Sequence, residues 1–422
     1  MSIRLNDFEE EMLAGRHGPA RRYGMEQIVK VGNFFDTEDC VEIGQVHLMA
    51  DTESLGEAGV TFLEELAALP REERRVKVPT VTDPRGIDFE HYKALGQTDE
   101  MAALERRAID AFRAMGVMMT DTCINYQTIM PPVLGEHLAF GDTGSSIYAN
   151  SVQGARTNFQ GGPSALAAAL TGRVPRYGFH LDACRRGRKR FAIDYAPGDL
   201  AEWGALGGIV GREMESYWDV PVIELTAAGR RPNSDELKQF GAALASYGST
   251  ALFHMIGVTP EAPDLTSVFD AVPGDCRSIG ADDVRAFTKA YWPDDDTVDV
   301  VVFAAPQLSL LEMETLATLL DGKTIHEDVA LLATTSPEIR SAADRMGFTE
   351  TIGNAGGIVL EGVCFYQMCA REIGEAKGWK RLMTNSAKLV NILGGYGYEP
   401  VLAGMERCIE SAVQGRIVGG AA

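Results

Sequence analysis

Three apolar runs in the second half of the chain, TALFHMIG, VDVVVFAA and VALLATT, are each followed by a polar turn and then by a helical pattern. Strands that return to one sheet through a helix become parallel neighbours, because a tight turn cannot make that connection. The rhythm therefore predicts an α/β fold with parallel sheets covered by helices and ligands at the carboxyl ends of the strands. The turns GVTPEAP, APQLS and TTSPE are then the ones to face a site. After the second run, Ser309 and Glu312 have the spacing of a capping box, which marks the next helix start.

The first half is mixed. Asn6 precedes the helical DFEEEMLAG, with Gly15 as terminator, and a second helical pattern runs from about Ala20 to Phe35. VEIGQVHLMA and RVKVPTV read as strands around a helix that begins near Gly56, and Asp99 to Met115 is amphipathic and leads into a strand, VMMTDTC. Residues 135–172 are dense in Gly, Ser, Thr and Asn, and Pro163 is placed to start an Ala-rich helix that ends at Gly172. A polar loop wedged between regular elements is more often a binding surface than a linker, because its N–H and hydroxyl groups need partners. The following YGFHLDACRRGRKRFAIDY reads as a hairpin with a basic tip at Arg185, Arg186, Arg188, Lys189 and Arg190. No internal repeat interrupts the pattern. Residues 1–422 read as one compact unit of two lobes with a boundary near 190–230.

Charge narrows the partners. Sixty acidic against 39 basic side chains leave a formal net charge of −21, which repels nucleic acid. A small anionic substrate then needs a local site of buried basic groups. The seven cysteines at 40, 123, 184, 276, 364, 369 and 408 form no CxxC pair, and no apolar run reaches the ~20 residues of a membrane helix. With polar residues after Met1, these features point to a reduced, cytoplasmic protein without a membrane partner.

Several common chemistries lack their motifs. There is no GxxxxGK[ST], HExxH or GxSxG, and GALGGIVG at Gly204–Gly211 has no strand before it, as a dinucleotide fingerprint requires. What remains is a series of polar, glycine-bearing segments: SLGEAG at 54–59, VPTVTDPRGID at 78–88, TDTCINY at 120–126, GEH at 135–137, YANSVQGARTNFQGGPSALAAALTGR at 148–173 and TNSAK at 384–388. In this order and spacing they resemble the aconitase X family, from about Gly15 to Ala412.

The resemblance implies an aconitase-like multi-lobed fold and hydro-lyase activity on a small 3-hydroxy acid. Cis-3-hydroxy-L-proline is the first expectation, and mevalonate 5-phosphate is the alternative. It also implies an Fe–S cluster and a small swivelling domain, fused in some members and separate in others. No swivel segment follows here. The chain therefore resembles the large subunit of a heterodimer with a small swivel-domain subunit, which in aconitase relatives carries the general base, a serine.

Dehydration requires a base for the α-proton, an acid or metal for the departing hydroxide, and donors for the carboxylate. Cys123 in the TDTC turn and Cys364 after GGIVLEGV match two of the family's cluster cysteines. The third position, where the family reads GCPH, is Ala304-Ala305-Pro306-Gln307, so a cysteine and a histidine are both missing. Either Cys276, Cys369 or His137 substitutes, or the metal is mononuclear, or there is none. Both thiols also have a plain reading as buried apolar side chains.

Arg156, Thr157 and Asn158 offer a guanidinium fork, a hydroxyl and an amide suited to a carboxylate. Ser145 and Ser146 are further donors, Lys388 binds a carboxylate or exchanges a proton, and Glu57 completes the candidate set in SLGEAG. His47, His137 and His180 are acid–base candidates whose plain reading is structural. A cluster-less lyase or isomerase, or a non-catalytic subunit, remains as the rival. The discriminator is whether Ser145, Arg156, Asn158 and Lys388 converge beside Cys123.

Overall fold

The computed structural model describes residues 3–214, 216–227 and 229–420. The first section contains β1 (Cys40–Glu42), β2 (Gln45–Leu48), β3 (Thr80–Thr82), β4 (Leu138–Phe140) and β5 (Arg173–Pro175). Strands β3-β2-β4 form a parallel sheet, and β1 pairs with β5 antiparallel. The second section contains β6 (Gly187–Ile193), β7 (Val220–Leu225), β8 (His254–Met255) and β9 (Arg277–Ile279), in the order β8-β7-β6-β9, all parallel. The third contains β10 (Val300–Leu308), β11 (Ala330–Thr335), β12 (Ile358–Glu361), β13 (Arg381–Thr384) and β14 (Glu399–Leu402), in the order β12-β11-β10-β13-β14, again parallel.

Local sequence explains many of these elements. Asn6 and Glu9 form a reciprocal capping box before the helix Asp7–Leu13, and Ser309 and Glu312 do the same for Leu310–Leu320. Pro163 lies in the first turn of the helix Gly162–Thr171, which stops at Gly172 in the left-handed conformation. All nine residues of β10 are buried, as expected for a central parallel strand covered on both faces.

Two expectations need correction. The basic run is not a hairpin: it passes through two short 3-10 turns into β6, the strand between β7 and β9. Its charges are paired with acids distant in sequence, Arg185 with Glu261, Arg186 with Asp270 and Arg190 with Glu224, while Lys189 donates to the Glu213 carbonyl. VMMTDTC is not a strand; it contributes one bridge, Met118 with Val81, and is then held by Thr120 and Asp121 against Thr82. Residues 190–230 hold part of β6, the helix Leu200–Glu213 and β7.

The GALGGIVG glycines serve helix packing. They lie in Leu200–Glu213, which packs against Ser234–Gly248, and a Cβ built on Gly207 would stand 2.1 Å from the Phe240 carbonyl oxygen. On the same helix, a Cβ on Gly204 would meet the Ala387 Cβ at 3.0 Å, so the helix Ala387–Leu393 after β13 is seated on the second section. A buried charge cluster reinforces this seam. Lys238 pairs with Glu312 and with Asp235 at 3.3 Å, and Ser309 Oγ donates to Asp235 at 2.7 Å. Among the described residues, no helix is long and apolar enough to cross a membrane.

Gly207→Ala is expected to destabilise the protein by about 1–3 kcal/mol despite Ala's better helix propensity, because the clash is with backbone. Chemical denaturation beside the wild type checks this; equal or greater stability would mean that the two helices can part.

Candidate active site

Several strands of the first and third sheets end at one place. Asp142 follows β4 and caps the helix Thr143–Ser151: its Oδ2 accepts the Ser145 N–H at 2.8 Å. The other oxygen, Oδ1, lies 3.2 Å from Lys388 Nζ, which comes from the helix after β13. Both residues are 4% exposed, so this ion pair is effectively dry. Burial opposes the Lys388 ammonium, but the Asp142 charge outweighs it and the group stays protonated. Burial likewise opposes Asp142 ionisation, and the Lys388 charge, aided by the Ser145 N–H, reverses it, holding the carboxyl below its usual range. The ammonium also lies 5.5 Å from the centre of the Tyr366 ring.

Cys123 sits beside this pair. Its carbonyl accepts Ser145 Oγ at 3.0 Å, and its N–H donates to Gln307 Oε1 at 3.2 Å. The sulfur receives the Gln307 backbone N–H at 3.3 Å and lies within hydrogen-bonding reach of the Cys364 thiol. Burial first, and then the Cys364 contact, push the Cys123 thiol well above its ordinary value, so it is uncharged.

Two buried acids, Asp83 and Asp51, back the site. Asp83, after β3, accepts Gln367 Nε2 at 2.7 Å, and the same amide nitrogen lies 3.4 Å from Asp51. Burial, then the Asp142 charge, raise Asp83 well above the carboxylate range, whereas burial lowers His47. The His47–Asp83 approach of 3.5 Å is therefore between two neutral groups and is no ion pair. His47 Nε2 donates to the Thr122 carbonyl at 2.8 Å, which leaves Nδ1 as a buried acceptor without a protein partner.

The site draws in only part of the candidate set. Ser145, Lys388, Cys123 and Cys364 come together. Ser146 donates to the Phe140 carbonyl, and Thr157 donates to the Asn158 carbonyl while accepting the Phe140 N–H. Asn158 spends its amide on the Tyr177 carbonyl and the Phe179 N–H, and Arg156 bonds the His180 carbonyl and Asp182. These side chains brace the glycine-rich loop because its own backbone has few regular partners. Glu57 lies outside the site, two-thirds exposed and paired with Arg107 at 2.7 Å. His137 and His180 contact each other through Nδ1 at 2.9 Å.

Sequence reading missed Asp142, Asp83, Tyr366 and Gln367. Asp142 carried a usable signal, because an Asp between an apolar strand and TGSS is a helix N-cap. Asp83 and Gln367 had none: their partners lie hundreds of residues away in the chain.

The donor set does not fit a cubane cluster. Such clusters take three or four thiolates, and here two thiols approach each other while the third position, Ala305, offers a methyl group. Its carbonyl is already bonded by Ser386 Oγ at 2.6 Å. Cys276 is exposed and Cys369 precedes the helix Ala370–Lys377; among the described residues, no three His, Cys, Asp or Glu side chains are grouped to hold a metal.

Parallel α/β sections thus meet at a buried ammonium, a carboxylate and a thiol. Family models for the aconitase X first, second and third domains match residues 2–183, 187–289 and 298–414. The chain belongs to the aconitase X family. It is 34% identical over 397 residues to the phosphomevalonate dehydratase large subunit of Methanothermobacter thermautotrophicus, covering 93% of this chain and 94% of that one. It is 32% identical to the cis-3-hydroxy-L-proline dehydratase of Pseudomonas aeruginosa, covering 98% of this chain and 70% of the relative. The crystal structure of Thermococcus kodakaraensis aconitase X in its holo-form matches with a TM-score of 0.83 at 29% identity, covering 97% of this chain and all of that one.

Glu105, behind the site, yields a pH prediction. Thr52 Oγ1 donates to its Oε2 at 2.5 Å, and burial pushes its pKa to about 7. Because the folded value exceeds the unfolded one, its stabilisation is complete below the ordinary glutamate value of 4.5 and is lost as pH rises through about 7. Glu105→Gln is expected to flatten that profile, by about 3 kcal/mol between the two limits. Urea midpoints at acidic and mildly alkaline pH check it; parallel profiles for variant and wild type would place the titration elsewhere.

Proposed function

We propose that the chain is the large subunit of a cytoplasmic dehydratase that removes water from a small 3-hydroxy carboxylate, with cis-3-hydroxy-L-proline as the first substrate and mevalonate 5-phosphate as the alternative of the same class. The observation that carries this reading is the dry Lys388–Asp142 pair beside Cys123 and Ser145. The relatives bearing these two substrate names align over nearly the whole chain. The label "large subunit" on several of them supports a small partner subunit here.

The chemistry follows from charge. Lys388 is a buried cation inside a strongly acidic protein, so it supplies the local attraction that an anionic substrate needs. In the elimination, a base takes the α-proton, and its bonding pair becomes the C=C π bond as the C–O bond breaks. A proton from Lys388 Nζ joins the departing hydroxide to form water. Asp142 holds the ammonium in place and keeps it charged between turnovers. Ser145, fixed at the first turn of its helix, orients the substrate. The base comes from the small subunit.

The test combines the chain with its small partner, supplies each acid in turn and follows the unsaturated product by NMR. Lys388→Ala is expected to lower kcat by roughly 10²–10⁴-fold, the usual scale for a positioned acid, while circular dichroism remains native. Undiminished turnover in a folded Lys388→Ala protein, or no water loss from either acid, would contradict the assignment.

A further inference from the structure

Gln307 occupies a singular position. It is fully buried at the end of β10, and its carboxamide joins the loops that converge on the two thiols. Nε2 lies 3.2 Å from the Asp121 carbonyl, 3.3 Å from that of Thr335 and 3.1 Å from that of Val363. Oε1 accepts the Cys123 N–H at 3.2 Å, and the backbone N–H of Gln307 points to the Cys123 sulfur at 3.3 Å. Even its own carbonyl is used, by Lys238 Nζ at 3.2 Å. The two N–H donors are thus spent on backbone carbonyls, and Oε1, which also faces the Cys123 Sγ at 4.0 Å, has both lone pairs turned to Cys123, so the side chain is directed wholly into the protein.

The neighbouring groups complete the picture. Ala305 contributes no donor, and its carbonyl is fixed by Ser386. The free Cys123 and Cys364 thiols lie within hydrogen-bonding reach of each other in the same packed interior. The site already contains a fixed positive charge, the Lys388 ammonium, held by Asp142. Burying a cation beside it would need thiolate or carboxylate charge to offset the repulsion, and among the described residues no three such side chains are grouped for it.

We propose that this chain works without a metal: the Gln307 carboxamide fills the space between the Cys123, Ala305 and Cys364 loops and ties them together, and Lys388 supplies the positive charge of the site. The proposal rests on reading this place as the active site, but its test does not depend on turnover.

The experiment purifies the chain anaerobically with its small subunit, incubates it with ferrous iron and sulfide, removes the excess, and measures iron, zinc, sulfide and the visible spectrum. Wild type is expected to stay colourless with metal at background, and chelators should leave its thermal midpoint unchanged. The double variant Ala305→Cys, Gln307→His restores two donors and is expected to take up iron and colour. Iron and sulfide bound to wild type in stoichiometric amounts would overturn the proposal. Gln307→Ala gives an independent reading if the double variant does not fold. It is expected to lower the thermal midpoint with no change in metal content, whereas loss of bound metal from this variant would make Gln307 a ligand and contradict the proposal. Failure to dehydrate either candidate acid, with metal still at background, would instead count against the dehydratase reading alone.

Discussion

The buried ion pair between Asp142 and Lys388 is the interaction around which the other parts are arranged. It joins the end of a strand in the first sheet to the helix after β13 in the third, so the two sheets meet at a charged point that excludes water. Such a pair is costly to bury and costlier to break, because removing one partner strands the other charge. The fold supports it from each side. Asp142 is held by a helix N-terminus, and Lys388 stands on a helix seated against Gly204 of the second section. The Lys238 cluster binds that same second section to the turn that carries Gln307.

Around this pair, neighbouring titratable groups shed their charge. The Cys123 thiol is pushed up, Asp83 is held neutral, and His47 is pushed down, all chiefly by burial. The ammonium and carboxylate of this pair thus keep their charges in an interior of low dielectric, where a substrate anion would feel Lys388 with little screening. The hydrogen-bond capacity of Gln307, fully used on four backbone groups and one thiol, keeps the loops of the site fixed without external help.

Sequence reading went furthest where the cause of structure is local. β10 and β11 follow from apolar runs, and the helix starts at Asn6, Pro163 and Ser309 from capping chemistry; of Ser145, Arg156, Asn158 and Lys388, expected together beside Cys123, Ser145 and Lys388 lie there and Arg156 and Asn158 bond elsewhere. It failed where partners are remote. Arg185 and Arg190 looked like a solvated tip because Glu261 and Glu224, which neutralise them, lie 76 and 34 residues away. The Arg156–Asn158 segment looked like a carboxylate cradle, but a glycine-rich loop has many backbone groups to satisfy, and its own side chains do so. Gln307 looked like a lost ligand. Its role as a clasp appears only when the carbonyls of Asp121, Thr335 and Val363 are brought together in space.

The most direct test of the central interaction is a double-mutant cycle on Asp142→Asn and Lys388→Met, read by chemical denaturation of the folded proteins. Each single change is predicted to cost about 3–5 kcal/mol, and the double variant distinctly less than the sum, because the second change removes the charge that the first left stranded. Additive losses would show that the two groups do not depend on each other, and the ion pair would then not be what joins the first and third sheets.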